Sequence, residues 1–294
     1  RTETFGRTHP GFHPSKPWVV QGLAGNISFW PLPSRAPRVI DQEASGNIGH
    51  DLIFTPDDRW LVASGPVAPG VRAWPLDGQN NGATKILMDR AASPLARLAA
   101  HPSGSEIAVK ASEGTVVLVP LDGGRSRDLP GRIEGFGAYL DFSPTGRFLA
   151  GVPFYRSSGE MAIQVWDLET GGVQTLGPIS GGSTYLGFDD ERHLRWSGSD
   201  SSWLSGESRI FDLATGNVEI LTGETVELIR IIGPGENFMI SGEGNAEGQI
   251  HLSWEDLESD ETRPITTHGD PANLPAGDLA IDPSGRWMAT GGED

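Results

Sequence analysis

The sequence predicts an all-β chain built from repeated four-stranded antiparallel units, seven in number, the last of them incomplete. Two observations carry this expectation: a turn signature recurring every 42 to 49 residues, and a strand signature ending mostly in Trp or Phe that follows it. Composition is the third. Forty Gly and 22 Pro in 294 residues, without a collagen period, imply either disorder or many short strands joined by tight turns. Nine Trp and eleven Phe argue for the strands, because such side chains bury enough apolar area to offset chain entropy.

The turn signature is an apolar residue, Pro two positions on, a turn, and a large apolar residue at the sixth position. It starts at Phe12, Phe54, Ala100, Phe142, Phe188, Ile232 and Ile281. Pro fills the second position at Pro14, Pro56, Pro102, Pro144, Pro234 and Pro283. The sixth position reads Trp18, Trp60, Glu106, Phe148, Leu194, Phe238 and Trp287. In "SPTGRF" (143–148) Pro sets the backbone angle and Gly supplies the left-handed residue that reverses the chain.

The strand signature reads "NISFWPLP", "GVRAWPLDG", "TVVLVPLDG", "AIQVWDLETG", "SRIFDLATG" and, less regularly, "QIHLSWEDL". Alternation of apolar and polar positions running into a Gly turn describes a half-buried strand entering a hairpin. A further short apolar run, such as "PRVI" or "VQTL", closes most copies. The stretch 87–100, "LMDRAASPLARLAA", has helix-forming composition. The repeat frame instead assigns Leu95 to Ala100 to the opening strand of the third copy.

"VWDLETG" (165–171) and "FSPTGRFLAG" (142–151), at this spacing and over essentially the whole chain, resemble the WD-repeat β-propeller family. That resemblance implies a seven-bladed β-propeller of four-stranded antiparallel blades, with approximate bounds 1–46, 47–92, 93–135, 136–180, 181–224, 225–268 and 269–294. The last blade has two inner strands only, so Asp294 is expected to be the edge of a fragment. The resemblance also makes His268, Thr290 and Asp294 candidates for a buried polar tetrad that staples a blade. The family's Gly-His pair is missing from most copies, and Val119 and Phe211 replace the Trp in copies three and five. Blades held mainly by apolar packing are therefore expected. "WPLP" and "WPLDG" look like bacterial members of the family, many of them fused to serine/threonine protein kinases. No Gly-rich kinase loop, "HRD" or "DFG" occurs in the chain.

Chemistry is sparse. Without Cys there is no disulfide, thiolate nucleophile or Cys-based zinc site. "HPGFH" (9–13) spaces two His four apart, but Pro and Gly preclude the helix that would aim both at one metal. "GEGNAEG" (242–248) nearly matches a dinucleotide fingerprint, with wrong spacing and a strand-to-strand context. "FDDER" (188–192) reads as solvated turn acids. No cofactor, metal or catalytic residue is expected. Net charge is −17, distributed as +1 over residues 1–150 and −18 over 151–294. Such a surface disfavours nucleic acid and anionic membranes; it serves solubility or a basic partner. No run approaches the length of a membrane span.

The predicted function is a non-enzymatic protein–protein interaction scaffold or sensor module of a larger bacterial signalling protein, cytoplasmic, binding a protein or peptide of basic character. Turns between second and third strands vary most. Phe154, Tyr155 and Arg156 in one and Trp203 in the next form a candidate partner-binding patch, or else cover blade edges. The alternative is a propeller hydrolase or lactonase at the channel mouth. It would draw on the inner-strand acids Asp141, Glu227 and Asp278.

Overall fold

A computed structural model describes residues 11–12, 18–23, 26–31, 38–41, 51–65, 70–76, 85–93, 97–155, 160–179, 181–199, 206–221, 226–232, 238–244, 250–256, 259, 261–265, 279–281 and 288–290. Among them there is no helix, and hence none long and apolar enough to cross a membrane.

Twenty-six strands pair, always antiparallel and in chain order, into six four-stranded sheets and one two-stranded sheet. The first sheet holds β1 (Gly11–Phe12), β2 (Trp18–Leu23), β3 (Asn26–Pro31) and β4 (Arg38–Asp41). The second holds β5 (Asp51–Phe54), β6 (Trp60–Ser64), β7 (Val71–Pro75) and β8 (Lys85–Met88). The third holds β9 (Ala99–Ala100), β10 (Glu106–Lys110), β11 (Val116–Pro120) and β12 (Arg127–Asp128). The fourth holds β13 (Tyr139–Phe142), β14 (Phe148–Val152), β15 (Met161–Asp167) and β16 (Val173–Ile179). The fifth holds β17 (Gly182–Phe188), β18 (His193–Ser199), β19 (Gly206–Asp212) and β20 (Val218–Leu221). The sixth holds β21 (Val226–Ile232), β22 (Phe238–Gly244), β23 (Ile250–Asp256) and β24 (Thr262–Ile265), and the seventh β25 (Leu279–Ile281) and β26 (Met288–Thr290). Each of the seven turn-signature starts lies in the first strand of its sheet. These first strands touch in series, β1 to β5, β9, β13, β17, β21 and β25, and β25 also meets β1.

Both faces of the third and fourth sheets are buried, and the two-residue side-chain period sorts them. On β10 and β11, Ile107, Val109, Val117 and Val119 pack against Val62, Val71, Ala73 and Met88 of the second sheet. Their neighbours Ala108, Val116 and Leu118 pack against Leu140, Phe142, Leu149 and Trp166 of the fourth. A third cluster joins Ile163, Val165 and Leu176 to Leu194, Trp196 and Phe211. Trp74, Val119, Trp166 and Phe211 occupy one register column, opposite Leu61, Ile107, Leu149 and Leu194. The sixth sheet departs from it. Phe238 pairs with Asp256, so the extra Glu255 moves Trp254 one step out of the column. One step in a strand turns a side chain to the other face. Trp254 is accordingly only partly buried, with the Arg263 guanidinium 5.4 Å from its ring.

Two carboxylates tie successive first strands together. Asp51 accepts the Leu98 amide at 2.6 Å, and Asp141 accepts the Phe188 amide at 2.9 Å. The first of these explains a difference from the expected strand Leu95–Ala100. With the Leu98 N–H taken by Asp51 and the Arg97 N–H by the Ala138 carbonyl, only Ala99 and Ala100 are in β9; Leu95 lies outside the described residues.

The turns between first and second strands nest. Gly146 has φ of +79°, and a Cβ there would come within 2.0 Å of the His101 ring in the preceding sheet's turn. A Cβ at Gly104 would likewise meet the Asp57 side chain at 2.5 Å. "FDDER" continues the series and is not simply solvated. Glu191 accepts from the Ser143 hydroxyl at 2.9 Å and the Thr145 amide at 3.0 Å, Asp189 grips Arg195 with both oxygens, and Asp190 pairs with His193.

Candidate interaction surface

Strand direction places the turns between second and third strands and the links between sheets at one end of the strands. Of the links and turns, residues 89–93, 97–98, 111–115, 129–138, 153–155 and 160 lie there. Among the described residues there, the exposed large apolar side chains form an aromatic pair. Phe136 and Tyr155 form an antiparallel bridge, with the Phe136 amide donating to the Tyr155 carbonyl at 2.8 Å. The rings are 50 % and 56 % exposed.

The sequence Gly135-Phe136-Gly137 makes this possible. Gly135 and Gly137 have φ of +129° and +64°, a region that side chains disfavour. Cβ atoms there would meet the Tyr155 carbonyl oxygen at 2.6 Å and the Phe154 ring at 2.5 Å. The link therefore lies flat on residues 153–155 and turns Phe136 outward. Beneath it, Phe154 packs on Tyr139 with ring centroids 4.4 Å apart, and the Arg97 guanidinium lies 4.9 Å from the Tyr139 ring. The Ser183 amide donates to the Phe154 carbonyl at 2.8 Å, fixing the segment to the fifth sheet.

Tyr155 of the predicted patch is on the surface, while Phe154 is turned inward as packing. Arg156 and Trp203 lie outside the described residues. Phe136 takes their place beside Tyr155; its signal in the sequence is an aromatic residue flanked by two Gly in a link. The surround is acidic. Asp89, Glu113, Asp128, Glu134 and Glu160 are exposed at this end, against the guanidiniums of Arg90, Arg97 and Arg132. Arg90 is shared between Glu113, at 2.8 Å, and Asp128.

The opposite end carries a cleft of about 560 Å³ between the fourth and fifth sheets, lined by Arg147, Asp167, Gln174, Glu191 and Arg192. Its guanidiniums are paired, Arg147 with Asp167 at 2.8 Å and Arg192 with Asp212. Arg147 and the backbone amides of the turn hold the Asp167 carboxyl down at about 2. Of the inner-strand acids, Asp141 is taken up by the Phe188 amide, and burial pushes its carboxyl up to about 7. Glu227 is in β21 and Asp278 lies outside the described residues. Among the described residues no three His, Asp or Glu side chains gather into a metal-binding group. His268 and Asp294 lie outside the described residues, and Thr290 pairs through its backbone with Leu279. "GEGNAEG" begins inside β22, a strand. His9 and His13 lie outside the described residues.

A scan against protein-family models matches none of them to this chain, and a search of curated proteins finds no match.

Proposed function

We propose that this chain is a seven-bladed β-propeller of the WD-repeat type. On this reading it serves as a non-enzymatic interaction scaffold or sensor module of a larger bacterial signalling protein in the cytoplasm. It captures a basic segment of a partner protein on the Phe136–Tyr155 ledge. The serial contact of first strands, β25 with β1 included, supports the ring. The single observation that carries the function is the ledge itself: two aromatic residues about half exposed, set on a glycine-shaped support at an end of the strands that also exposes five carboxylates. Aromatic side chains dominate binding free energy at interfaces, and carboxylates around them steer cationic partners and repel acidic ones.

Fluorescence anisotropy with two labelled decapeptides tests this, one of Arg and Leu and one of Glu and Leu. The Arg peptide binds and the Glu peptide does not. Phe136→Ala with Tyr155→Ala weakens capture by at least about tenfold, as expected for losing a hot-spot pair. Because both residues are about half exposed and stand outside the buried clusters, thermal stability changes little. Equal capture of both peptides, or undiminished capture by the double variant, overturns the reading.

A further inference from the structure

Lys110 ends β10, and its residue is 2 % exposed. Side-chain alternation sends Ala108 and Lys110 toward the fourth sheet while Ile107 and Val109 face the second. The ammonium donates to the Gly135 carbonyl at 2.6 Å, the Gly137 carbonyl at 3.1 Å and the Ser93 hydroxyl at 3.4 Å. All three acceptors are neutral. A buried cation without a carboxylate carries a desolvation cost that its hydrogen bonds must offset. The acceptors show what the charge achieves. Two of them are the carbonyls on either side of Phe136, and they belong to glycines, whose backbone freedom is greatest. The Phe136 amide and carbonyl are fixed from above by residues 154 and 155. Lys110 fixes the flanking carbonyls from below.

We propose that Lys110 is a positioning residue for the ledge: its charged head clamps the carbonyls of Gly135 and Gly137 and so holds the Phe136 ring in the posture a basic partner engages. This rests on the ledge being the capture surface. The segments packed around Lys110 carry Asp89, Arg90, Arg97, Arg132, Glu134, Tyr139, Asp141 and Tyr155 as their titratable or charged groups. Burial is the one cause acting on the ammonium, and lowers it to about 8.

The clamp therefore weakens as pH rises through about 8, and capture weakens with it. Global stability responds in the opposite sense. Lysine in the unfolded chain keeps its proton to about 10.5, so between about 8 and 10.5 the unfolded state binds more protons and the folded state gains. Loss of capture over this range is thus distinguishable from loss of fold.

The test uses an acetylated, amidated Arg–Leu decapeptide, which does not titrate between pH 7 and 9. For the unaltered protein, Kd rises by about tenfold from pH 7 to 9, as expected for losing a charge-assisted hydrogen bond. Lys110→Met and Lys110→Gln bind weakly at both pH values, with no pH dependence. At pH 7, hydrogen exchange of amides 135–137 is faster in both variants than in the unaltered protein. A flat profile for the unaltered protein, which needs no variant, overturns the proposal. So does unaltered exchange in whichever of the two variants folds. If the unaltered protein fails to capture the peptide at all, the interaction reading falls. Exchange then decides the role of Lys110 alone, supporting it if faster and overturning it if unchanged.

Discussion

Replacing Asp141 by Asn should stabilise the protein at pH 8 and do little at pH 4. The carboxylate is held between β13 and β17, where it accepts the Phe188 amide, and burial raises it from 3.8 to about 7. A carboxyl raised in the folded state binds its proton there while the unfolded chain has already lost it. Stability contributed by Asp141 is therefore full below about 4 and declines as pH rises toward about 7. At about 1.4 kcal/mol per pH unit, that interval amounts to about 4 kcal/mol as an upper bound. The residue is only partly buried, so solvent reduces the figure to about 2 kcal/mol. Asn keeps the shape and an oxygen for the Phe188 amide without bringing a charge. The assay is urea unfolding at pH 4, 5, 6, 7 and 8, comparing midpoints. The unaltered protein should lose stability across this series relative to Asp141→Asn, and the two curves should meet near pH 4. A variant less stable than the unaltered protein by the same amount at every pH would refute the reasoning, since the ionised carboxylate would then be a net stabiliser.

Two further perturbations probe the framework. Gly146→Ala should lower stability by about 2 kcal/mol or more, combining a left-handed residue with a collision against His101, and His101→Ala should recover the collision part but not the backbone part. Full recovery, measured by the same urea midpoints, would remove the backbone argument. Trp166→Phe deletes an indole N–H that donates to the Pro130 carbonyl at 2.7 Å, and should cost about 1–3 kcal/mol while speeding amide exchange in link 129–138. Unchanged exchange in that link would show that the bond does not restrain it.

The repeat was legible because its turns depend on backbone chemistry that only a few residues supply: Pro at the second position, and Gly or Asp where φ is positive, as at Asp58, Gly104 and Gly146. These local requirements show in any copy, and so does the strand alternation. What escaped depends on partners far away in the chain. The brevity of β9 follows from the Asp51 carboxylate 47 residues upstream of Leu98. Glu191 reads as a solvated acid in the sequence because its partners, Ser143 and Thr145, belong to the preceding sheet. Phe154 and Tyr155 are adjacent in an extended segment, so one faces in and the other out; sequence alone does not say which. Phe136 was hidden because its prominence comes from two glycines lying against a neighbouring turn, a tertiary fit with no local pattern.

The nested turns have a consequence for change in this molecule. Gly104 against Asp57, Gly146 against His101, and Glu191 against Ser143 and Thr145 form a row in which each turn is the mould for the next. An insertion in one would have to be answered by its neighbour, which suits the fixed spacing from Phe54 to Trp60 and from Phe142 to Phe148. At the other end, the second-to-third turns differ in length, with five residues at Ala111–Thr115 and eight at Pro153–Glu160. The protein thus has one end whose turns lock one another and another whose turns differ in length. Foreign loops should not be spliced in between Ser143 and Arg147.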